Sequence, residues 1–166
     1  MSDINSNCTI CRGADGDAEA QRIQVWEDSL WRLTVSLDSE VEGFTYLEPK
    51  RHISYITDLD GEEARTFGEV LACASRALRD VTRSEFVYVY IFGGSIPHLH
   101  VHLAPHRNGD ALNSQMIKGE IVTEQMENGF LRFVSKDYPP LPRDVLEEVA
   151  LRIKQQMFFN RNCRNG

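Results

Sequence analysis

The sequence predicts an α+β fold, in which an antiparallel sheet of about five strands packs with one main helix and a C-terminal helix. Short segments of alternating apolar and polar residues come in pairs joined by brief turns, as in antiparallel hairpins. A long segment over residues 58–83 and a later one over residues 143–158 carry apolar residues at helical spacing. With 166 residues, the chain is expected to form a single domain over residues 1–166 with a substantial core.

Each predicted strand has its own signal. The first two form a hairpin across the short polar turn at residues 27–29, and the third ends at Pro49. The fourth is rich in β-branched and aromatic residues, which favour strands. An additional hairpin is expected across Asn128–Gly129, a strong turn dipeptide. In chain order, strands are predicted at Arg22–Trp26, Leu30–Leu37, Gly43–Glu48, Phe86–Ile91, His98–Leu103, Glu120–Gln125 and Phe130–Val134.

The fifth strand is the most informative segment. Four of the five histidines lie within ten consecutive residues, and His98, His100 and His102 alternate with aliphatic residues. Strict alternation puts these three imidazoles on one face of a strand and the aliphatic side chains in the core, with Pro97 and Pro105 at the strand ends. Three polar rings on one face would be costly packing without a role. The row therefore indicates either a metal site or nucleophilic and acid–base chemistry at phosphorus or carbon.

The composition limits the classes of partner. The net charge of −7, from 25 acidic and 18 basic residues, argues against non-specific binding to nucleic acid or to an anionic membrane. A small phosphorylated ligand in a local pocket remains compatible with it. No apolar run approaches the ~20 residues of a membrane-spanning helix, and the N-terminus has no signal-peptide pattern. We therefore expect a cytoplasmic protein, whose four cysteines are thiols or metal ligands rather than disulfides.

Two shorter motifs could contribute to a site. Cys8 and Cys11 form a CxxC pair, which in a reducing compartment is a zinc half-site or a redox pair. No βαβ pattern surrounds it, which disfavours thioredoxin-like chemistry. His52 follows a strand end, where loops often carry functional groups, although a single loop histidine is commonly just exposed. Gly93–Gly94–Ser95 could be a plain turn, or could let a phosphate approach backbone N–H groups closely.

The order of elements and the segment His98-Leu99-His100-Val101-His102-Leu103-Ala104 resemble the histidine-triad (HIT) superfamily. The resemblance covers about residues 8–112, which leaves residues 113–166 as a C-terminal extension. It implies a HIT-like α+β domain that forms a homodimer and hydrolyses or transfers nucleotides through a covalent phospho-histidine intermediate. The middle histidine of the triad, His100, would be the nucleophile. His102 would lie beside the reacting phosphate and help to position it.

The CxxC pair extends the resemblance to a zinc-binding subset of the superfamily, and to galactose-1-phosphate uridylyltransferase. In those proteins the ligands are the CxxC pair, a histidine before the main helix and the first triad histidine. The matching residues here are Cys8, Cys11, His52 and His98. Two thiolates and two imidazoles would make a closed, tetrahedral zinc site of structural type.

The sequence departs from the family pattern around the expected substrate site. The polar loop that many members have before the triad is shorter here, and its usual polar residue is replaced by Gly94, which leaves Ser95 as the expected phosphate contact. The arginine that the family places after the proline of the triad strand is replaced by His106. We therefore expect Gly94, Ser95, His102 and His106 to contact the substrate, a small phosphorylated molecule such as a nucleotide.

Two other functions compete with a HIT-type enzyme. One is a zinc-stabilised nucleotide-binding protein without turnover, which the shortened polar loop favours. The other is a cupin-like metalloenzyme using all three triad histidines. Because alternate residues of a strand are spaced by roughly 6–7 Å, the outer two histidines cannot easily converge on one ion. The sequence also lacks a suitably spaced glutamate to complete such a site.

Overall fold

The computed structural model describes residues 5–91, 96–108, 120–136 and 138–159. It confirms the predicted α+β fold and its five-stranded antiparallel sheet. The strand order is β1-β2-β3-β5-β4, so that the histidine-rich strand β5 lies between β3 and the edge strand β4. The strands are β1 Arg22–Glu27, β2 Trp31–Ser36, β3 Thr45–Pro49, β4 Phe86–Tyr90 and β5 Val101–His106.

The predicted helices are also present. The main helix is α2, Gly61–Thr82, and the C-terminal helix is α3, Arg143–Phe159. A short helix α1, Ala14–Glu19, and a 3-10 turn, Ile56–Asp58, had no signal in the sequence analysis. The expected C-terminal hairpin forms a separate two-stranded sheet of β6, Glu120–Gln125, and β7, Leu131–Lys136.

The two faces of the main sheet have different roles. Alternate side chains of its central strands, including Leu33, Leu47 and Val101, are fully buried under α2 and α3 in one continuous core. The other face carries Arg32 and Glu48, opposite each other on β2 and β3, and these are also buried. All six residues of β2 are buried, because the N-terminal segment covers this second face. We call this second face the histidine face, since His100 and His102 belong to it.

The register places one row of side chains straight across the histidine face. Thr34 on β2 is opposite Tyr46 on β3, Tyr46 is opposite His102 on β5, and His102 is opposite Tyr90 on β4. Antiparallel neighbours in such a row lie within contact distance of each other. The strands of the sheet alone therefore place aromatic side chains on both sides of His102.

The predicted ends of the histidine strand were wrong. β5 begins at Val101 rather than His98, because the His98 N–H donates to the Ile96 carbonyl in a turn and the Leu99 N–H donates to the Ile53 carbonyl. At the other end Pro105 lies inside β5 instead of terminating it. The pairing of β3 with β5 ends at Leu103. Proline is tolerated at position 105 because no backbone N–H is needed there for a hydrogen bond to β3.

Three remaining expectations concern the cysteines, the helices and the glycine-rich connection. Cys73, buried in α2, is disulfide-bonded, which corrects the expectation that all four cysteines are thiols or metal ligands. Within the described ranges, none of the helices has the length and apolar character needed to cross a bilayer. The connection Gly93–Gly94–Ser95 lies outside the described residues.

Candidate functional site

Four side chains from distant parts of the chain meet at one end of the histidine face. Cys8 and Cys11 come from the N-terminal segment, His52 from the loop after β3, and His98 from the segment before β5. One potential ligand atom from each of the four lies within 4.8 Å of all the others. The Leu99–Ile53 backbone hydrogen bond, 2.7 Å long, joins the two segments that carry the histidines.

The spacing of these atoms fits a tetrahedral metal ion. His52 Nδ1 and His98 Nδ1 are 3.3 Å apart, Cys11 Sγ lies 3.3 Å and 3.4 Å from them, and Cys8 Sγ lies 3.5 Å from His98 Nδ1. A tetrahedral zinc ion with bonds of about 2.3 Å to sulfur and 2.0–2.1 Å to nitrogen separates its ligand atoms by roughly 3.3–3.8 Å. The donor set of two thiolates and two imidazoles also suits zinc.

His98 is held in the protonation state that a metal needs. Its Nε2–H donates to the Pro49 carbonyl at 2.9 Å, so the Nδ1 lone pair faces the two sulfurs and His52. Burial is the main cause that lowers the pKa of His98 to about 4, which keeps the ring neutral. Burial also raises the pKa of the Cys11 thiol, a penalty that a bound dication reverses. Cys8, Cys11, His52 and His98 form a structural zinc site.

His100 is the next histidine along the row, and its ring adjoins that of His102. Its Nδ1–H donates to the carbonyl of His98 at 2.6 Å, because a carbonyl can only accept. The lone pair of a neutral His100 therefore resides on Nε2. The side chain is mostly buried, and burial is the first cause that lowers its pKa, followed by the positive charge of Arg22. The ring is thus neutral and nucleophilic at physiological pH.

His102 lies beside His100 and is enclosed by aromatic rings. The centroids of the two imidazoles are 4.9 Å apart. Tyr90 stacks on His102 at 4.5 Å with 6° between the planes, and Tyr46 and Phe44 pack edge-on at 5.2 Å and 5.9 Å. Burial is again the main cause that lowers the pKa of His102 to about 4. Two neutral imidazoles therefore stand side by side between the zinc site and an aromatic cluster.

Comparison with known proteins decides the family. The family model described as HIT domain matches residues 17–109, more than half of the chain. This chain belongs to the HIT family. Uncharacterized HIT-like proteins from two Mycobacterium tuberculosis strains are 28% identical to it over 111 residues, which cover 64% of this chain and 76% of each relative.

Solved structures of other HIT proteins share its fold. A zinc-bound histidine triad family protein from Mycobacterium smegmatis aligns with a TM-score of 0.62 and 22% identity, covering 92% of this chain and 94% of that one. A hypothetical histidine triad nucleotide-binding protein from Sulfolobus tokodaii aligns with a TM-score of 0.61 and 19% identity, covering 86% and 87%. At these sequence identities, the alignments establish only the fold of this HIT protein.

The structure brings together six of the predicted site residues of this HIT protein. The four zinc ligands form one cluster, and His100 and His102 adjoin it. His106 lies at the far end of β5, where its ring is 6.4 Å from that of Phe86. Gly94 and Ser95 fall outside the described residues, so their expected phosphate contacts stay predictions.

Sequence reasoning missed the aromatic cluster around His102, which consists of Phe44, Tyr46 and Tyr90. A signal for it existed in the alternation of Phe44 and Tyr46 along the third strand, which puts both on one face. What the sequence could not show is the register that sets β3 and β4 on either side of His102.

Proposed function

We propose that this HIT protein hydrolyses a nucleotide, or transfers its nucleotidyl group, through a covalent phospho-histidine intermediate at His100. The observation that carries the proposal is the hydrogen bond from His100 Nδ1 to the carbonyl of His98. This bond fixes the tautomer whose Nε2 lone pair is available for attack. It also holds the ring in place, and positioning a nucleophile against its target can lower a barrier by several kcal/mol, up to about 7–11 in the best cases.

The proposed reaction has two displacements at phosphorus. In the first, the Nε2 lone pair forms a P–N bond as the bond from phosphorus to the leaving group breaks, and the leaving group departs with its electron pair and takes up a proton from solvent. The imidazole is then positively charged, and the His98 carbonyl stabilises that charge by accepting the Nδ1–H hydrogen bond. In the second, water or an acceptor hydroxyl attacks phosphorus and loses its proton to solvent, while the P–N bond breaks and its electron pair returns to Nε2, which leaves His100 neutral.

The proposed role of His102 is to hold the phosphate beside His100. Its ring is adjacent to His100, and stacking on Tyr90 together with edge contact to Tyr46 fixes its orientation. Because His102 is neutral, its ring can donate an N–H hydrogen bond to a phosphate oxygen, and its charge does not change near neutral pH. Its removal should slow the reaction less than removal of the nucleophile.

A nucleotide is the proposed substrate class. The aromatic cluster next to the histidines offers faces and edges on which a planar base can pack. The similar protein from Sulfolobus tokodaii is described as nucleotide-binding, which supports the same class here. The zinc site adjoins the cluster and, when loaded, stabilises the segment that carries His98.

We also propose that two copies of the chain pair through the β4 edge. Among the described residues, this strand has a neighbour on one side only, and Phe86 and Val89 expose 55% and 43% of their surface on it. An unprotected edge strand with exposed apolar side chains favours pairing with a second strand. The proposed location of this homodimer is the cytoplasm, and we propose neither nucleic acid nor a membrane as a partner.

Incubation with a panel of nucleoside phosphoramidates, followed by mass spectrometry of the intact protein and its peptides, tests the proposal. We expect turnover, and a nucleotidyl adduct on His100 after rapid acid-free quenching. The His106→Ala variant should keep the adduct on His100, whereas His100→Ala should lack it. Binding of the nucleotide by wild-type protein without turnover or adduct would instead support the zinc-stabilised binding protein.

A further inference from the structure

Two arginines and two carboxylates form a closed, buried ring of ion pairs on the histidine face. Arg22 lies 2.5 Å from Glu48 and 3.2 Å from Asp17, and Arg32 lies 3.2 Å from Glu48 and also pairs with Asp17. All four side chains are at most 7% exposed. The ring joins α1, β1, β2 and β3, and its formal charges cancel.

Stability alone is a weak explanation for such a ring. Removing four charges from water is costly, and apolar residues of similar size often serve as well or better in a core. The two arginines are also not equivalent beyond the ring. In the described part of the chain, each arginine also contacts a group outside the ring, and these two groups belong to different parts of the site.

Arg22 leads to the histidine row. Its guanidinium carbon lies 5.3 Å from the centroid of the Tyr46 ring, within cation–π range. Tyr46 in turn packs edge-on against His102 at 5.2 Å and lies 6.5 Å from the His100 ring. The Tyr46 ring therefore lies between Arg22 and the two imidazoles.

Arg32 leads to the zinc site. Its Nη1 donates to the carbonyl of Ile10 at 3.4 Å, and Ile10 is the residue directly before Cys11 in the CxxC segment. Ile10 is itself buried, so the contact fixes the backbone between the two cysteines. Arg32 therefore supports the segment that supplies both thiolates.

We propose that Arg22 and Arg32 are positioning residues of one ring with separate targets, Arg22 orienting the histidine row through Tyr46 and Arg32 orienting the zinc-binding segment through Ile10. The kinetic part of this inference rests on the proposed function. The zinc and spectroscopic parts do not, since they concern contacts that exist without a substrate.

The test compares Arg22→Lys with Arg32→Lys in the zinc-loaded, full-length protein. Both changes keep a positive charge in the same ring and at similar burial, and both lose the forked geometry of the guanidinium. Each variant is therefore a control for the other. Three kinds of measurement are made on each variant. They are kcat and KM on a nucleoside phosphoramidate, the rate of zinc release to excess chelator, and the NMR signals of the His102 and Tyr46 rings.

Arg22→Lys is expected to lower kcat by about ten- to a hundredfold with KM unchanged, because the reacting groups are misplaced. It should also shift the His102 and Tyr46 ring signals and leave zinc release unchanged. Arg32→Lys is expected to accelerate zinc release by about tenfold or more, as for other residues that support metal ligands, with ring signals and kcat unchanged. Equal effects of both variants on every readout, or no effect of either, would overturn the inference.

A third variant keeps the inference testable if the arginine variants do not fold. Tyr46→Leu removes the link between Arg22 and the imidazoles while the ring of ion pairs stays intact. It should lower kcat and shift the His102 ring signals without changing zinc release, and unchanged His102 signals would contradict the role of Arg22. If wild-type protein turns over no phosphoramidate, the proposed function fails, and the zinc-release and NMR results still decide the inference.

Discussion

His98 and His100 are held in opposite tautomers by two backbone carbonyls. His98 donates from Nε2 to Pro49 at 2.9 Å, whereas His100 donates from Nδ1 to His98 at 2.6 Å. Although they are only two residues apart, the lone pair lies on Nδ1 in His98 and on Nε2 in His100. The backbone thus orients one imidazole for metal binding and the next for the proposed attack on phosphorus, and the carbonyl of His98 itself links the two.

Loss of one zinc ligand should lower both metal content and stability. We expect one zinc ion per chain in protein purified without chelator, and much less in Cys11→Ser, whose thermal midpoint should fall because metal binding contributes to folding free energy. Elemental analysis and thermal melts check this. His106→Ala provides the control, since it removes an imidazole outside the cluster and should keep the zinc. Metal-free wild-type protein would contradict the assignment.

The His102 ring should stay neutral well below the usual titration range of histidine. Burial, and after it the neighbouring His100, lower the pKa of His102 to about 4, against about 6.5 in an unfolded chain. As the pH falls below 6.5 the unfolded state takes up the proton first, so the stability associated with neutral His102 is lost between pH 6.5 and 4. NMR titration of the ring should show no protonation between pH 7.5 and 5.5, and a midpoint near 6.5 would refute this.

Alternation along the chain predicted the strands and the shared side of His100 and His102, and the helical spacing of apolar residues predicted both long helices. The apolar partners Leu99, Val101 and Leu103 are buried on the opposite side, as expected. The zinc ligands were found through a family resemblance, since nothing in local sequence shows that His52 and the CxxC pair approach His98. Only the fold brings them together, through contacts such as the Leu99–Ile53 hydrogen bond.

The features that sequence reasoning missed depend on register and on long-range packing. Arg32 is a charged residue within a strand, and it is buried because α1 and the CxxC segment cover β2. Its partner Glu48 is opposite it only in the register that β2 and β3 adopt. A charged residue in a strand pattern is normally solvent-facing, so neither could be assigned to a buried ring without the pairing.

Gly43 should not tolerate a side chain. Its φ is +77°, and a Cβ there would lie 2.9 Å from Cγ2 of Thr82 in the helix layer. We expect Gly43→Ala to lower the free energy of unfolding by about 1–3 kcal/mol through strain and overpacking. Gly68→Ala is the matched control, because Gly68 is exposed within α2 with open space around it, and it should raise stability by about 0.5–1 kcal/mol. Chemical denaturation measures both, and equal effects would contradict the packing argument.

A charge on the β4 edge should disrupt the proposed homodimer. Val89→Lys places an ammonium group on the edge strand, a device that natural sheets use against edge pairing. We expect light scattering to give a dimer for wild-type protein and a monomer for this variant at micromolar concentration. Phe133→Lys is the control, because Phe133 is 77% exposed on the separate hairpin and its replacement should leave the dimer intact. Monomeric wild-type protein would refute the pairing.

Replacing His100 by alanine should abolish turnover and leave the fold intact. Its side chain makes one hydrogen bond to a backbone carbonyl and lies on the histidine face, so its loss removes little of the core. Because the first displacement requires the Nε2 lone pair, the single-turnover rate should fall by several orders of magnitude, in keeping with the several kcal/mol that positioning contributes. His102→Ala should cost less, since it removes a neighbour of the phosphate and keeps the nucleophile.

Single-turnover kinetics of the two alanine variants on the same phosphoramidate make this comparison. Circular dichroism and zinc content serve as the controls for folding, because a His100→Ala protein that retains zinc has kept His98 and the segment around it. If His100 is the nucleophile, the single-turnover rate should be highest for wild type, intermediate for His102→Ala and lowest for His100→Ala. A wild-type rate in His100→Ala would rule out covalent catalysis at this position, because the first displacement requires the Nε2 lone pair of His100.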